Sequence, residues 1–121
     1  METAVLVSQV VIALGIANVW LLRPARATPF RGGNATTMAE EFAVYGLSPA
    51  AMRAIGTAKL GLAAALFVGI WVPQLVQPAA IGMALLMVGA VAMHVKVGDS
   101  FAKSVPALAM LVLSSFVAVY G

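Results

Sequence analysis

Four long apolar stretches alternate with short polar connections along this chain: Ala4 to Leu22, Met52 to Val72, Leu75 to Val97 and Val105 to Tyr120. Each is close to the ~20 helical residues needed to cross a hydrocarbon core of about 30 Å. Hydrocarbon offers a backbone amide no partner, so these stretches must be helices whose amides are satisfied within the segment. The pattern predicts an all-α membrane protein, a four-transmembrane-helix bundle forming a single domain over residues 1–121. No internal repeat or low-complexity tract marks off a second domain.

The punctuation between the stretches supports this reading. Ser48-Pro49 gives an N-cap followed by proline at the first helical position, where a missing N–H costs nothing. Pro73 stops that helix, and the short uncharged connection 73–77 predicts a tight hairpin between spans two and three. Pro78 opens the third span, and Ser104 with Pro106 predicts the start of the fourth. The connection 23–47 is the long one. Its first half is irregular, with Pro24, Pro29, Gly32 and Gly33. Its second half carries a capping-box pattern, Thr37-Met38-Ala39-Glu40, and a plausible glycine stop at Gly46. Met38, Phe42 and Tyr45 recur at helical spacing between them, predicting a short interfacial amphipathic helix over 38–46. A plain loop is the alternative.

Charge sets the orientation. The seven Lys and Arg residues all fall on one side of the membrane once the spans are drawn, with Lys59 inside span two but nearer that side. By the positive-inside rule that side is the cytoplasm, so the chain is expected in the cytoplasmic membrane with N- and C-termini outside. Trp20 and Trp71 are expected to mark the two interfaces, with Tyr120 as a further outer anchor. A composition 63% hydrophobic and 9% charged is far from that of a soluble domain. Ala25-Arg26-Ala27 resembles a signal-peptide cleavage site, but the segment has no basic n-region and its apolar stretch is too long. A net charge of +3 does not imply nucleic acid, because the cations are juxtamembrane and not interleaved with aromatics; they suit anionic headgroups.

Cysteine is absent and histidine occurs once, which excludes an intrinsic disulfide, thiolate metal site or iron–sulfur cluster and leaves metals almost no ligands. Attention therefore falls on the polar residues inside the spans. Lys59 lies two turns deeper than Arg53, where an ammonium costs about 2.5–3.5 kcal/mol near a span centre. Either it snorkels back toward the helix N-terminus, or it faces the bundle interior and meets a carboxylate or a carbonyl-bearing ligand. His94 is about one turn from the end of span three and Asn18 about one turn from the end of span one. Three spans thus bring a polar group to one layer. Glu40, Glu41 and Asp99 lie on the same side, and the turn at Gly98-Asp99-Ser100 can swing Asp99 back toward His94. Asn18, Glu40, Glu41, Lys59, His94 and Asp99 form the candidate ligand-binding set, against the plainer reading of a snorkelled lysine, a structural histidine and a solvated acidic helix start. Opposite Lys59, Thr57, Gly61, Ala65 and Gly69 make a small-residue ladder suited to close helix approach, within the bundle or in a homo-oligomer.

These residues resemble a known family. Gly56-Thr57-Ala58-Lys59-Leu60-Gly61, Trp71-Val72-Pro73, the run Gly82 to Ala90, and His94-Val95-Lys96-Val97-Gly98-Asp99, with Glu41-Phe42 and Tyr45-Gly46-Leu47 upstream, are similar to the DoxX-like family of small four-helix membrane proteins. The likeness covers about residues 38 to 115, with Lys59 and His94 its specific part. It implies the fold more firmly than the activity. Its relatives include subunits of thiosulfate:quinone oxidoreductases, members of oxidative-stress complexes and a receptor-assembly chaperone. With no cysteine, a redox role implies a borrowed cofactor, a quinone or one carried by a redox partner protein. Three functions follow: a subunit or anchor of a redox assembly that binds a lipophilic ligand such as a quinone; a membrane-embedded enzyme running acid–base isomerisation or ring opening; and an assembly factor or lipid-binding scaffold.

Overall fold

The computed structural model describes residues 2–121 and contains helices where the hydropathy pattern requires them. Helix α1 runs Glu2–Ala17 and continues into a π-helical turn, Asn18–Leu22; α2 is Met38–Val44, α3 Pro49–Val68, α4 Val76–Lys96 and α5 Phe101–Tyr120, with a short 3-10 turn Pro73–Leu75 before α4. Four of these segments, Glu2–Leu22, Pro49–Val68, Pro73–Lys96 and Phe101–Tyr120, are long and apolar enough to cross a membrane. They form an up-down-up-down ring in which α1 packs on α3, α3 on α4, α4 on α5 and α5 back on α1.

Ile12, Leu66, Ala80, Met83 and Val117 fill the centre of the ring. Gln9 is buried among them and donates to the Leu66 carbonyl at 2.8 Å, a polar clasp between α1 and α3. The outward faces are apolar: Leu14, Leu85, Val112 and Val119 stand more than 60% exposed, which suits hydrocarbon and would be a liability in water.

Local signals act as their chemistry dictates. The Ser48 hydroxyl accepts from the Ala51 N–H at 3.1 Å and starts α3. Thr37 Oγ1 accepts from the Glu40 N–H, half of a capping box; the Glu40 carboxylate turns instead to the N–H and hydroxyl of Thr36. Gly46, at φ 80°, ends α2 in a Schellman motif, with Gly46 N–H on Ala43 and Leu47 N–H on Phe42. Helix α2 therefore forms as the spacing predicts, but Met38, Phe42 and Tyr45 are buried against the bundle, so its apolar stripe is covered by protein.

Four expectations are corrected. The fourth span begins at Phe101, not near Pro106, which sits inside α5. Proline there removes a donor to the Ala102 carbonyl. Tertiary contacts hold the first turn regardless, since Ser104 is buried and Lys103 donates to the Gly33 carbonyl. Helix α3 ends at Val68, before Pro73, and the chain passes to α4 through turns at Gly69–Val72. Trp20 is half-buried and not a surface anchor: its ring stacks edge-on against Phe42 at 5.8 Å and fills the space left by Gly56. Trp71 is 68% exposed, as an interfacial residue would be. The small-residue ladder is split. Thr57 and Gly61 face outward, whereas Gly69 is buried beside Val76 of the same chain.

A Cβ at Gly56 would run into the Trp20 ring, which is itself pinned by Phe42. Gly56→Leu is expected to cost about 1–3 kcal/mol through overpacking. Thermal unfolding of the purified protein in mild detergent checks this, and an unchanged midpoint would show that the Trp20 packing is loose.

Candidate functional site

The π-helical turn ending α1, the loop 23–37, helix α2 and the adjoining ends of α3 and α4 close one end of the bundle. Two cavities lie beneath this cover, of about 230 Å³ and about 320 Å³. They share the walls Val19, Trp20, Arg31, Glu41, Lys59, Ala90 and His94, so the same polar groups serve both.

His94 is held by the turn that follows it. Helix α4 ends in a second Schellman motif at Gly98, φ 72°, in which the Gly98 N–H bonds Val95 and the Asp99 N–H bonds the His94 carbonyl at 3.0 Å. This fold-back brings Asp99 Oδ2 to 2.7 Å from His94 Nδ1, with both side chains buried. An ionised carboxylate only accepts, so Nδ1 carries the proton and Nε2 is the nitrogen free to exchange one. Nε2 points toward the Tyr45 hydroxyl at 3.5 Å, but that hydroxyl already donates to Glu41 Oε1 at 2.6 Å. Nε2 thus stays uncommitted beside the cavities.

The loop is tied to this pair. Asp99 Oδ1 accepts from the Gly33 N–H at 2.9 Å and lies 3.8 Å from Lys103 Nζ. Burial alone would raise the Asp99 carboxyl, but the hydrogen bonds from His94 and Gly33 and the positive charge beside it hold its pKa below the ordinary carboxylate value. Arg31 is 5% exposed; it pairs with Glu41 Oε2 at 3.0 Å and donates to the carbonyls of Arg23 and Arg26. Both Glu41 oxygens are therefore occupied, one by Arg31 and one by Tyr45. Burial and the Glu41 carboxylate push the Tyr45 phenol well above its usual range, keeping it a donor.

Lys59 is different. It lies ten residues into α3, about 15 Å along the axis from Pro49. Among the described residues no carboxylate pairs with it. Its ammonium sits 5.5 Å from the centre of the Trp20 ring and borders both cavities. A cation–π contact is worth about 0.5–2 kcal/mol, less than the insertion cost of about 2.5–3.5 kcal/mol. Donor capacity remains for a guest in the cavity.

Of the residues expected at the site, Glu41, Lys59, His94 and Asp99 converge. Asn18 lines the smaller cavity and accepts from Arg23 Nε at 3.1 Å, at its edge. Glu40 stands outside, bonded to Thr36, which also lowers its pKa through those hydrogen bonds. Arg31, Tyr45, Trp20 and Lys103 also belong to the cluster, although the sequence marks Arg31 and Lys103 only as orienting charges and Trp20 and Tyr45 only as an anchor and an apolar stripe. Among the described residues no group of three metal-ligating side chains occurs.

Among known proteins, the sequence pattern of the DoxX-like family matches residues 7–117. No curated protein and no solved structure matches the chain.

Asp99→Asn is expected to cost about 1.5–3 kcal/mol, the usual worth of hydrogen bonds to a charged group. Because the folded carboxyl has a depressed pKa, its contribution is present above the ordinary carboxylate range and is lost as pH falls through the depressed value. Denaturation midpoints measured from pH 7 down to pH 3 should fall more steeply for the wild type than for Asp99→Asn. Parallel curves would show that Asp99 is not held ionised by its partners.

Proposed function

The chain belongs to the DoxX-like family of integral membrane proteins, and from that premise we propose that it is a membrane subunit of a redox assembly that binds the carbonyl-bearing head of a quinone-like molecule beneath its loop-covered end. The observation that carries this reading is the pairing, on one cavity wall, of an ammonium with no carboxylate partner and an imidazole with a free Nε2. The residues fit such a head. Lys59 would donate a hydrogen bond to one carbonyl oxygen, and the flat Trp20 ring and the apolar side chains of Ile55, Leu86 and Met93 would line the ring faces. When bound, a quinone supplies two-electron, two-proton chemistry, with electrons from a redox partner protein, since the chain has no cysteine.

His94 would exchange the proton. Asp99 holds the imidazole through its Nδ1–H, which leaves Nε2 turned toward the cavity as the nitrogen that would pass the proton. Glu41 and Arg31 neutralise one another and hold the cover closed, which keeps the Lys59 field directed at the cavity. The covered end is assigned to the cytoplasmic side, where protons and soluble partners are available. The His94–Asp99 pair also supports a second reading, acid–base catalysis on an oxygen-bearing hydrophobic substrate, which needs no electron donor.

Trp20 reports on the cavity directly. In Trp71→Phe protein, titration with a short-chain quinone should quench the remaining tryptophan saturably, and Lys59→Met should weaken that binding about tenfold, or ~1.4 kcal/mol. Quenching that rises without saturation and ignores Lys59 would overturn the quinone reading. Saturable binding without redox-dependent absorbance changes in membranes containing the whole assembly would favour acid–base chemistry.

A further inference from the structure

The larger cavity has a side opening. Its inner wall is buried, at Tyr45 and His94, yet its lining also includes Leu85, 67% exposed, and Gly89, both on the outward face of α4 toward α3. Gly89 lies seven residues before Lys96, so the opening is about 10 Å below the end of α4, within the apolar span. A Cβ at Gly89 would meet nothing within 4 Å. Packing within the chain does not demand glycine there, and mid-helix glycine costs about 0.5–1 kcal/mol. What its absence of a side chain provides is space at the cavity mouth.

Two other sides are partly covered, although the smaller cavity also reaches the surface past the exposed Arg23, Phe30 and Pro106. At the loop end, Arg31 ties Glu41 to the 23–26 carbonyls while Asp99 and Lys103 tie Gly33 to the start of α5. On the α1–α5 side, the Met110 methyl group presses on Gly15, where any Cβ would collide with it.

We propose that the ligand is an amphiphile drawn sideways from the bilayer, its apolar chain lying in the notch at Gly89 between α3 and α4 while its polar head reaches Lys59 and His94. This rests on the quinone-like reading for the head and adds the chain and its path. A Cβ at Gly89 meets no neighbour, so a leucine there is expected to fill the notch and keep the fold, which its thermal midpoint checks. Gly61→Leu on α3 is the control: it is equally free of neighbours but borders none of the polar cavity.

The probes are 2,3-dimethoxy-5-methyl-1,4-benzoquinone, which has no tail, and its decyl-substituted form, titrated into full-length Trp71→Phe protein in lipid nanodiscs. Gly89→Leu should weaken the decyl compound about tenfold and leave the tail-less one within about twofold, and Gly89→Ala should fall between. Gly61→Leu should change neither, and thermal midpoints recorded alongside should stay near the parent value. Equal affinities of Gly89→Leu and parent protein for the decyl compound would overturn the lateral path while leaving the head site standing. Equal weakening of both probes would overturn it too, by showing a distorted head site. Failure of the parent protein to bind either probe would remove the quinone reading itself, and the path with it.

Discussion

A lysine whose backbone lies about 15 Å along an apolar helix is the constraint around which this end of the protein is built. Lys59 cannot be satisfied by its own helix, and the nearest carboxylate, Glu41, is already divided between Arg31 and Tyr45. What the chain offers is the face of Trp20, held in place by a π-helical turn and by the absence of a side chain at Gly56. That contact offsets part of the insertion cost and leaves the remainder without a partner within the chain. A cover lies over the cavity. It is a loop stitched by charge: Arg31 to Glu41 on one side, Asp99 and Lys103 to Gly33 on the other.

The division of labour among the ionisable groups follows from this. Three cations, Arg31, Lys96 and Lys103, are used structurally, each donating to loop or α2 groups. Two carboxylates, Glu41 and Asp99, have both oxygens occupied. Among the described residues, Lys59 and the Nε2 of His94 retain unused hydrogen-bonding capacity on the shared wall, beside the unpaired indole N–H of Trp20. That is a small, asymmetric site suited to an oxygen-bearing head in an otherwise dry bundle.

Much of this was legible in the sequence because it is local. The spans follow from hydropathy, the start of α3 from Ser48-Pro49, the stop of α2 from Gly46, and the return of Asp99 to His94 from Gly98 one position earlier. What could not be read depends on long-range contact. Arg31 has the same appearance in a sequence whether it lies at a headgroup or buried against Glu41, ten residues away on another element. Trp20 at a span end suggests a membrane interface, and only the approach of α3 at Gly56 turns it inward. Pro106 reads as a helix start, but the first turn of α5 is anchored through Lys103 to a glycine seventy residues away, so the helix begins earlier and tolerates the proline. The outward turn of Glu40 reflects a choice between two adjacent threonines that a capping-box pattern does not resolve.

Native mass spectrometry of the gently solubilised full-length protein tests the central claim most directly. If the cavity beside Lys59 is a site for a lipophilic molecule, wild-type protein should retain a small non-protein mass that dissociates on collisional activation, and Lys59→Met protein of equal thermal stability should arrive without it. A wild type that carries no such mass, or a retained mass indifferent to Lys59, would contradict the account.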